Sequence, residues 1–303
     1  MKIDVIGIPL HYGCDRFGVE KGPRKLRENG VIDILAKHGN EVHDLGDLIV
    51  PEKPASKKFA AGSTMKWVDE IIKTNENLAQ AVYSSIKSGA IPFTLGGDHA
   101  LGLGTTAGAA KAFGKDYGIV WIDAHGDINT AESSPSGNIH GMPLAAAMGF
   151  GADELKNIYF EGKKIEPKNV YLIAQRDLDP GEVDLIKEHN INLWTSEDIR
   201  TKGIDAIMVE VTEKMNASGI NNFHISFDID SMDSNIVPGT GTPVIDGTTV
   251  QDTKIMLSQL FKTGKIKVFD FAEYNPGLEF ETTTDNCLKV VEYISKCMAD
   301  ATK

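Results

Sequence analysis

The stretch GIVWIDAHGDIN, Gly118–Asn129, decides how this chain folds. Its first five residues, Gly118–Ile122, carry no charge and no polar alternation. Such a run reads as a strand buried on both faces. It then breaks into ionisable residues at alternate positions: Asp123, His125 and Asp127. Strands buried on both faces belong to parallel sheets covered by helices, and ligands bind beyond their carboxyl ends.

Working outward, the same device recurs. The run Ile91–Leu95 ends in GGDH, Phe223–Phe227 ends in DID, and Lys267–Phe271 ends in AEYNP. Four strand ends, far apart in sequence, finish in ionisable residues and are expected to converge on one edge of the sheet. Further strands are expected at Ile3–Ile8, Glu41–Leu45, Val170–Ala174 and Ile191–Trp194. Between them lie helical patterns at Pro23–His38, Met65–Lys87 and Thr249–Lys262. In the second, Trp67, Ile71, Leu78, Val82 and Ile86 recur at helical spacing. Strand–helix repetition predicts an α/β fold with helices on both faces of a parallel sheet. No linker, repeat or low-complexity segment divides the chain. The Ser-rich loop Thr130–Gly141 sits between two chemical motifs, so residues 1–303 read as one domain.

The bulk properties narrow the function. With 303 residues and 41% hydrophobic content, the chain can bury a large core. Its net charge of -12 offers no basic face for nucleic acid or an anionic membrane. Cys14, Cys287 and Cys297 have no paired spacing, which argues against a disulfide framework. The opening MKIDVIGIPL reads as a first strand, not a signal peptide. No uncharged apolar run approaches the ~20 residues that span a bilayer. These features predict a cytoplasmic protein.

Asp123, His125, Asp127, Asp228 and Asp230 form two clusters, each expected to project to one side of an extended strand end. Carboxylates held together at low dielectric repel one another and must protonate, splay apart or bind a cation. Adding His99 gives two imidazoles and four carboxylates, enough for two ions if some carboxylates bridge. A carboxylate-rich donor set with one imidazole per ion and no thiolate suits Mn²⁺ best, with Fe²⁺, Co²⁺ or Ni²⁺ as alternatives. Two ions about 3.5–4 Å apart would hold a bridging water and lower its pKa, which predicts hydrolysis. Taken singly, Asp98 reads as a helix cap.

GGDHA (Gly96–Ala100), DAHGDIN (Asp123–Asn129), SGNIHGMP (Ser136–Pro143), SFDIDSMD (Ser226–Asp233) and AEYNP (Ala272–Pro276) together resemble the ureohydrolase family. The loop SGNIHG and the stretch RDLDPGE (Arg176–Glu182) resemble its arginase branch. The likeness covers nearly the whole chain. It implies a three-layer α-β-α fold with a central eight-stranded parallel sheet, as in arginases and deacetylases. It implies hydrolysis of L-arginine to L-ornithine and urea by a hydroxide bridging two Mn²⁺ ions. One ion would be held by His99, Asp123, Asp127 and Asp228. The other would be held by Asp123, His125, Asp228 and Asp230. It also implies a homo-oligomer, a trimer or a hexamer.

Within that resemblance the remaining residues take chemical roles. Glu273 is a natural partner for a planar, donor-only guanidinium. Asp127 takes the transferred proton, and His140 protonates the leaving amine or relays protons. Asn129, Ser136 and Asn138 suit an α-carboxylate, although such residues also build turns. Asp179 and Glu182 would meet the α-ammonium, with capping near Pro180-Gly181 as the plain alternative. Thr242, in GTGTP, either supports the guanidinium site or makes a turn. The sequence departs from the family at Ser231, where Gly is usual, at Ser234, where Pro is usual, and at Ala100, where Ser is frequent. Agmatinase or guanidinobutyrase activity, a formiminoglutamate-type hydrolase and an inactive homologue are the competing readings. The metal motifs alone do not separate agmatinase from arginase.

Overall fold

The computed structural model describes residues 1–301. Its eight strands are β1 (Lys2–Ile8), β2 (Glu41–Asp47), β3 (Ile91–Gly96), β4 (Gly118–Ile122), β5 (Val170–Gln175), β6 (Asn192–Thr195), β7 (Phe223–Asp228) and β8 (Ile266–Ala272). They form one sheet in the order β2-β1-β3-β8-β7-β4-β5-β6, and every pairing is parallel. The eight-stranded parallel sheet matches the expectation.

Successive side chains of a strand serve opposite cores. In β4, Val120 and Ile122 pack with Met256, Leu257, Val290 and Ile294 of the helices Val250–Lys262 and Glu281–Asp300. Ile119 and Trp121 point the other way, into a cluster with Ala109, Ala110 and Leu144. Beside that cluster the helices Val68–Lys87 and Gly102–Phe113 bury Ile71, Leu78, Val82 and Leu103. The result is three layers, with a helical layer on each face. Trp121, Phe227 and Phe271, just before three of the functional strand ends, are fully buried. Each contributes about 1.5–3 kcal/mol by leaving water. The strand ends are therefore rigid mounts.

Three expected helices differ from the pattern. Pro23–His38 is two short helices, Gly22–Glu28 and Val31–Ala36. The break falls at Gly30, which adopts φ 84°, a left-handed conformation that glycine enters freely. The helix expected from Met65 begins at Val68. Trp67 is left-handed at φ 57°, and the Lys66 amide donates to Gly137 O at 2.9 Å instead of entering a helix. The helix expected from Thr249 runs from Val250, because Thr249 caps it and shares a capping box with Asp252. Among the described residues, no helix is long and apolar enough to cross a membrane.

Candidate metal centre

β3, β8, β7 and β4 are neighbours in the sheet, and each leads at its carboxyl end into residues expected at the site. Register aligns these ends: Ile122 pairs with Phe227, and Asp228 pairs with Ala272. Asp123, Asp228 and Glu273 therefore emerge at one level. The β3 end lies close beneath Leu10. A Cβ on Gly97 would sit 1.9 Å from the Leu10 carbonyl oxygen, so only glycine fits there.

The strand-end clusters converge, but not by strand pleating as expected. β4 stops at Ile122, before any ligand candidate. Asp123 Oδ1 accepts from the His125 amide at 2.7 Å and folds the chain back. Asp127 is left-handed at φ 53°. β7 likewise ends at Asp228, whose Oδ1 accepts from the Asp230 amide at 2.8 Å. Each cluster is an Asx-type turn in which the first carboxylate organises the backbone of the next one.

His99 Nδ1 faces Asp123 Oδ2 at 2.9 Å, Asp127 Oδ2 at 3.1 Å and Asp228 Oδ2 at 3.1 Å. His125 Nδ1 faces Asp123 Oδ1 at 3.3 Å and Asp230 Oδ2 at 3.2 Å. Two groups able to hold a cation result: His99, Asp123 and Asp127, and Asp123, His125 and Asp230. They share Asp123, which turns one oxygen to each. His99 Nδ1 and Asp127 Oδ2 are buried and have no hydrogen-bond partner among the described residues. A buried imidazole nitrogen surrounded by carboxylates, yet bonded to none, fits a divalent ion better than a hydrogen-bond network.

The ligand candidates are held from behind. His99 Nε2 meets Ser226 Oγ at 2.8 Å, and the ring stacks on Trp121. Trp121 Nε1 donates to Asp123 Oδ2 at 3.0 Å. Thr242 Oγ1 donates to Asp230 Oδ2 at 3.0 Å. Bonds of this kind orient metal-site side chains. Ser231 is fully buried and donates to the Asp228 carbonyl at 2.7 Å. It braces the turn between Asp228 and Asp230.

Electrostatics carry the same message. Burial and the Asp123 charge push Asp127 up to about 6. Burial and then Asp230 and Asp123 hold Asp228 well above the carboxylate range. Burial and Asp123 also raise Asp230. Asp123 is the exception: burial disfavours its charge, but the imidazoles of His125 and His99 beside it hold it far below the usual value. Burial disfavours charge on His99 too, but the three carboxylates around it lift it well above its ordinary value. His125 is raised in the same way, by Asp230 and Asp123 against burial. Several carboxylates forced toward the neutral form are a conflict that a cation removes.

Glu273 is buried and left-handed at φ 66°. Its Oε1 accepts from the His99 amide at 2.8 Å, and its Oε2 has no hydrogen-bond partner among the described residues. His140 Nδ1 lies 3.3 Å from Glu273 Oε1. Burial disfavours the imidazolium, but Glu273 overcomes this and raises His140. Asp98 caps the turn at His99, as expected of it alone, and also accepts from the Gly13 and Cys14 amides.

A cleft of about 610 Å³, counted out to solvent, opens over these residues. His99, His125, Asp127, Asp228, Asn129, Ser136, Asn138, His140, Asp179, Glu182 and Thr242 all line it. Asp123, Asp230 and Glu273 are buried next to the lining residues that they touch. Asn129 Nδ2 donates to Asp179 Oδ2 at 2.8 Å. Asp179 and Glu182 form a capping box at the helix Pro180–His189. Burial lifts Glu182 to about 7, although the Asp179 and Ile128 amides bond to it.

The sequence reading did not single out Asp177 or Ser134, which line the cleft, nor Ser133, whose hydroxyl bonds Asn129 Oδ1 at 2.8 Å. It also passed over Ser226 and Arg176. Ser226 lies two residues before Asp228 on a strand, so the pleat alone places it on the same face. Arg176 gave no such signal, because its partners are backbone carbonyls.

The comparisons agree with this geometry. The arginase family model matches residues 1–295. Arginase of Brevibacillus brevis is 39% identical over 283 residues, 93% of each chain. The structure of arginase from Bacillus caldovelox superposes with a TM-score of 0.92 at 37% identity, covering 96% of this chain and 97% of that one. The Entamoeba histolytica arginase, solved in complex with L-ornithine, gives a TM-score of 0.89 at 34% identity, covering 97% of each chain. Carboxylates converging at the ends of a parallel sheet, with this likeness along the chain, place the protein in the arginase family of hydrolases.

Proposed function

We propose that the protein hydrolyses L-arginine to L-ornithine and urea with two Mn²⁺ ions. The observation that carries this reading is the sharing of Asp123 between two metal-capable groups beside the unpartnered Oε2 of Glu273. His99, Asp123, Asp127 and Asp228 would hold one ion, and Asp123, His125, Asp228 and Asp230 the other. When bound, such a pair supplies a hydroxide near neutral pH.

The side chains do the rest. Glu273 accepts the guanidinium N–H groups and fixes the plane of the group over the site. Asp127 accepts the proton released on attack and returns it to the departing nitrogen. His140, beside Glu273, exchanges protons between the cleft and solvent. Asn129, Ser136 and Asn138 receive the α-carboxylate, while Asp179 and Glu182 face the α-ammonium. The ornithine held by the Entamoeba relative is the product this reading predicts here.

The test is urea release from arginine and from agmatine, each with Mn²⁺, Co²⁺ and Ni²⁺. Arginine is expected to be the better substrate, with Mn²⁺ the best metal. Agmatine turnover equal to or above that of arginine would refute the arginine reading.

A further inference from the structure

The cleft is hostile to part of its proposed substrate. Apart from the metal-ligand candidates, its lining carries the carboxylates of Asp177, Asp179 and Glu182 and, among the described residues, no Lys or Arg. That suits a guanidinium and an ammonium. It opposes a carboxylate, which arginine also brings.

A positive charge lies one layer behind the wall. Lys66 Nζ donates to Asn138 Oδ1 at 2.8 Å. The Lys66 amide donates to Gly137 O at 2.9 Å, so loop and side chain are fixed together. Gly137, at φ 70°, has no room for a side chain, since a Cβ would sit 2.3 Å from Thr64 O. The Lys66 side chain is 18% exposed. It lies 3.4 Å from Asp15 Oδ2, but that carboxylate also pairs with Lys58 and accepts from Trp67 Nε1 at 2.9 Å. Two ammonium groups therefore share one carboxylate, and one positive charge is left over beside Asn138.

Lys66 also settles which way Asn138 faces. An ammonium is a donor only, so the Asn138 oxygen must turn to it. The amide nitrogen then donates to Cys14 O at 3.2 Å. One amide hydrogen remains without a protein acceptor among the described residues, on a side chain that lines the cleft.

We propose that Lys66 is a specificity-determining residue for the substrate carboxylate: it orients Asn138 as a donor and supplies the positive charge that the cleft lining lacks. The inference rests on the arginine reading above and deepens it. Lys66 is a positioning residue, since it acts through Asn138. It makes the site prefer an amino acid over an amine or amide of the same length.

The experiment compares L-arginine with L-argininamide, which keeps the guanidinium and ammonium but lacks the carboxylate charge. Wild type, Lys66→Met, Lys66→Gln and Lys66→Arg are assayed with Mn²⁺. In parallel, calorimetry measures binding of L-ornithine and of 1,4-diaminobutane. Lys66→Met is expected to lower the arginine-to-argininamide ratio of kcat/KM by about tenfold or more, mainly through KM. The preference for ornithine over the diamine falls with it. Lys66→Arg restores most of the ratio. Lys66→Gln restores less, because it keeps a donor but not the charge. Equal losses for arginine and argininamide would mean that Lys66 only supports the loop and would overturn the inference alone. So would an unchanged ratio. A wild-type enzyme that releases no urea from arginine overturns the functional reading and this inference with it.

Discussion

Arg176 Nη2 donates to the backbone carbonyl of Asp230 at 2.7 Å, so a guanidinium from the end of β5 grips the turn that carries a ligand candidate of β7. The same side chain reaches the carbonyls of Ala174, Ser231, Met232, Val244 and Ile245. It ties the segment from Asp230 to Ile245, including Thr242, to the sheet. Truncating it leaves several carbonyls without a donor. Arg176→Ala is expected to cost about 2–4 kcal/mol, as for other half-buried polar groups that satisfy several backbone carbonyls. Arg176→Lys should recover only part of this, because one ammonium cannot match a planar fork. Urea denaturation measures the loss, and Mn²⁺ titration should show weaker binding in both variants.

Asp123 turns one oxygen to each group of ligand candidates, whereas Asp230 belongs to one. Asp123→Asn is therefore expected to weaken binding of both ions, and Asp230→Asn mainly that of one. Metal content after dialysis at a fixed Mn²⁺ concentration reads the difference. Equal stoichiometry in the two variants would show that Asp123 does not bridge.

The partnerless Oδ2 of Asp127 leads to a sharper expectation for turnover than for folding. Asp127→Asn should lower urea release by about 10²–10⁴, the usual scale for removing a proton-transfer group, and more if an ion is also lost. Circular dichroism should show an intact fold. Substantial residual activity would remove Asp127 from both assigned roles.

Metal withdrawal should be visible in stability, because bound ions relieve the mutual repulsion of Asp127, Asp228 and Asp230. Saturation at about a hundred times the dissociation constant adds about 2.7 kcal/mol. For a chain of this size that is a rise of several degrees in Tm. Thermal melts with EDTA and with graded Mn²⁺ measure it. A Tm indifferent to the metal would contradict the reading of the site.

Lys164 gives a pH prediction away from the site. It is buried, bonded to the carbonyls of Lys156, Phe160 and Gly162, and has no carboxylate partner among the described residues. Burial pushes its ammonium down from 10.5 to about 8. Between those values the unfolded chain holds more protons than the folded one, so stability should rise with pH through that window. Its contribution is fully present above 10.5 and is lost as pH falls through 8. Denaturation of wild type and Lys164→Met from pH 7.5 to 10.5 should show the balance shifting toward wild type as pH rises.

The parts of this fold legible in the sequence are those that burial dictates directly. Strands such as Gly118–Ile122 are apolar on both faces, so they end visibly where residues such as Asp123 begin. The legibility faded where tertiary contacts overrode local pattern. Lys66 and Trp67 continue a helical spacing, yet the bond from the Lys66 amide to Gly137, far along the chain, holds them out of the helix. The convergence of DAHGD was anticipated, but its cause was not: side chain-to-backbone bonds and a left-handed Asp127 leave no trace in periodicity. Arg176 and Lys66 were silent for a related reason. One bonds to carbonyls that every residue possesses, and the other acts through a neighbour that the folded chain supplies.

The position of β8 has a consequence for synthesis. It is last in sequence but lies in the middle of the sheet, between β3 and β7. A growing chain that has emitted seven strands therefore has a gap where Phe269, Phe271 and Glu273 belong, and β3 cannot reach β7. His99 and Asp228 stay apart until that strand inserts. The group of His99, Asp123 and Asp127 should therefore assemble only once β8 is in place, because its closing contacts join strands far apart in sequence. A chain with this strand order completes its reactive centre late, when the eighth strand fills the middle of the sheet.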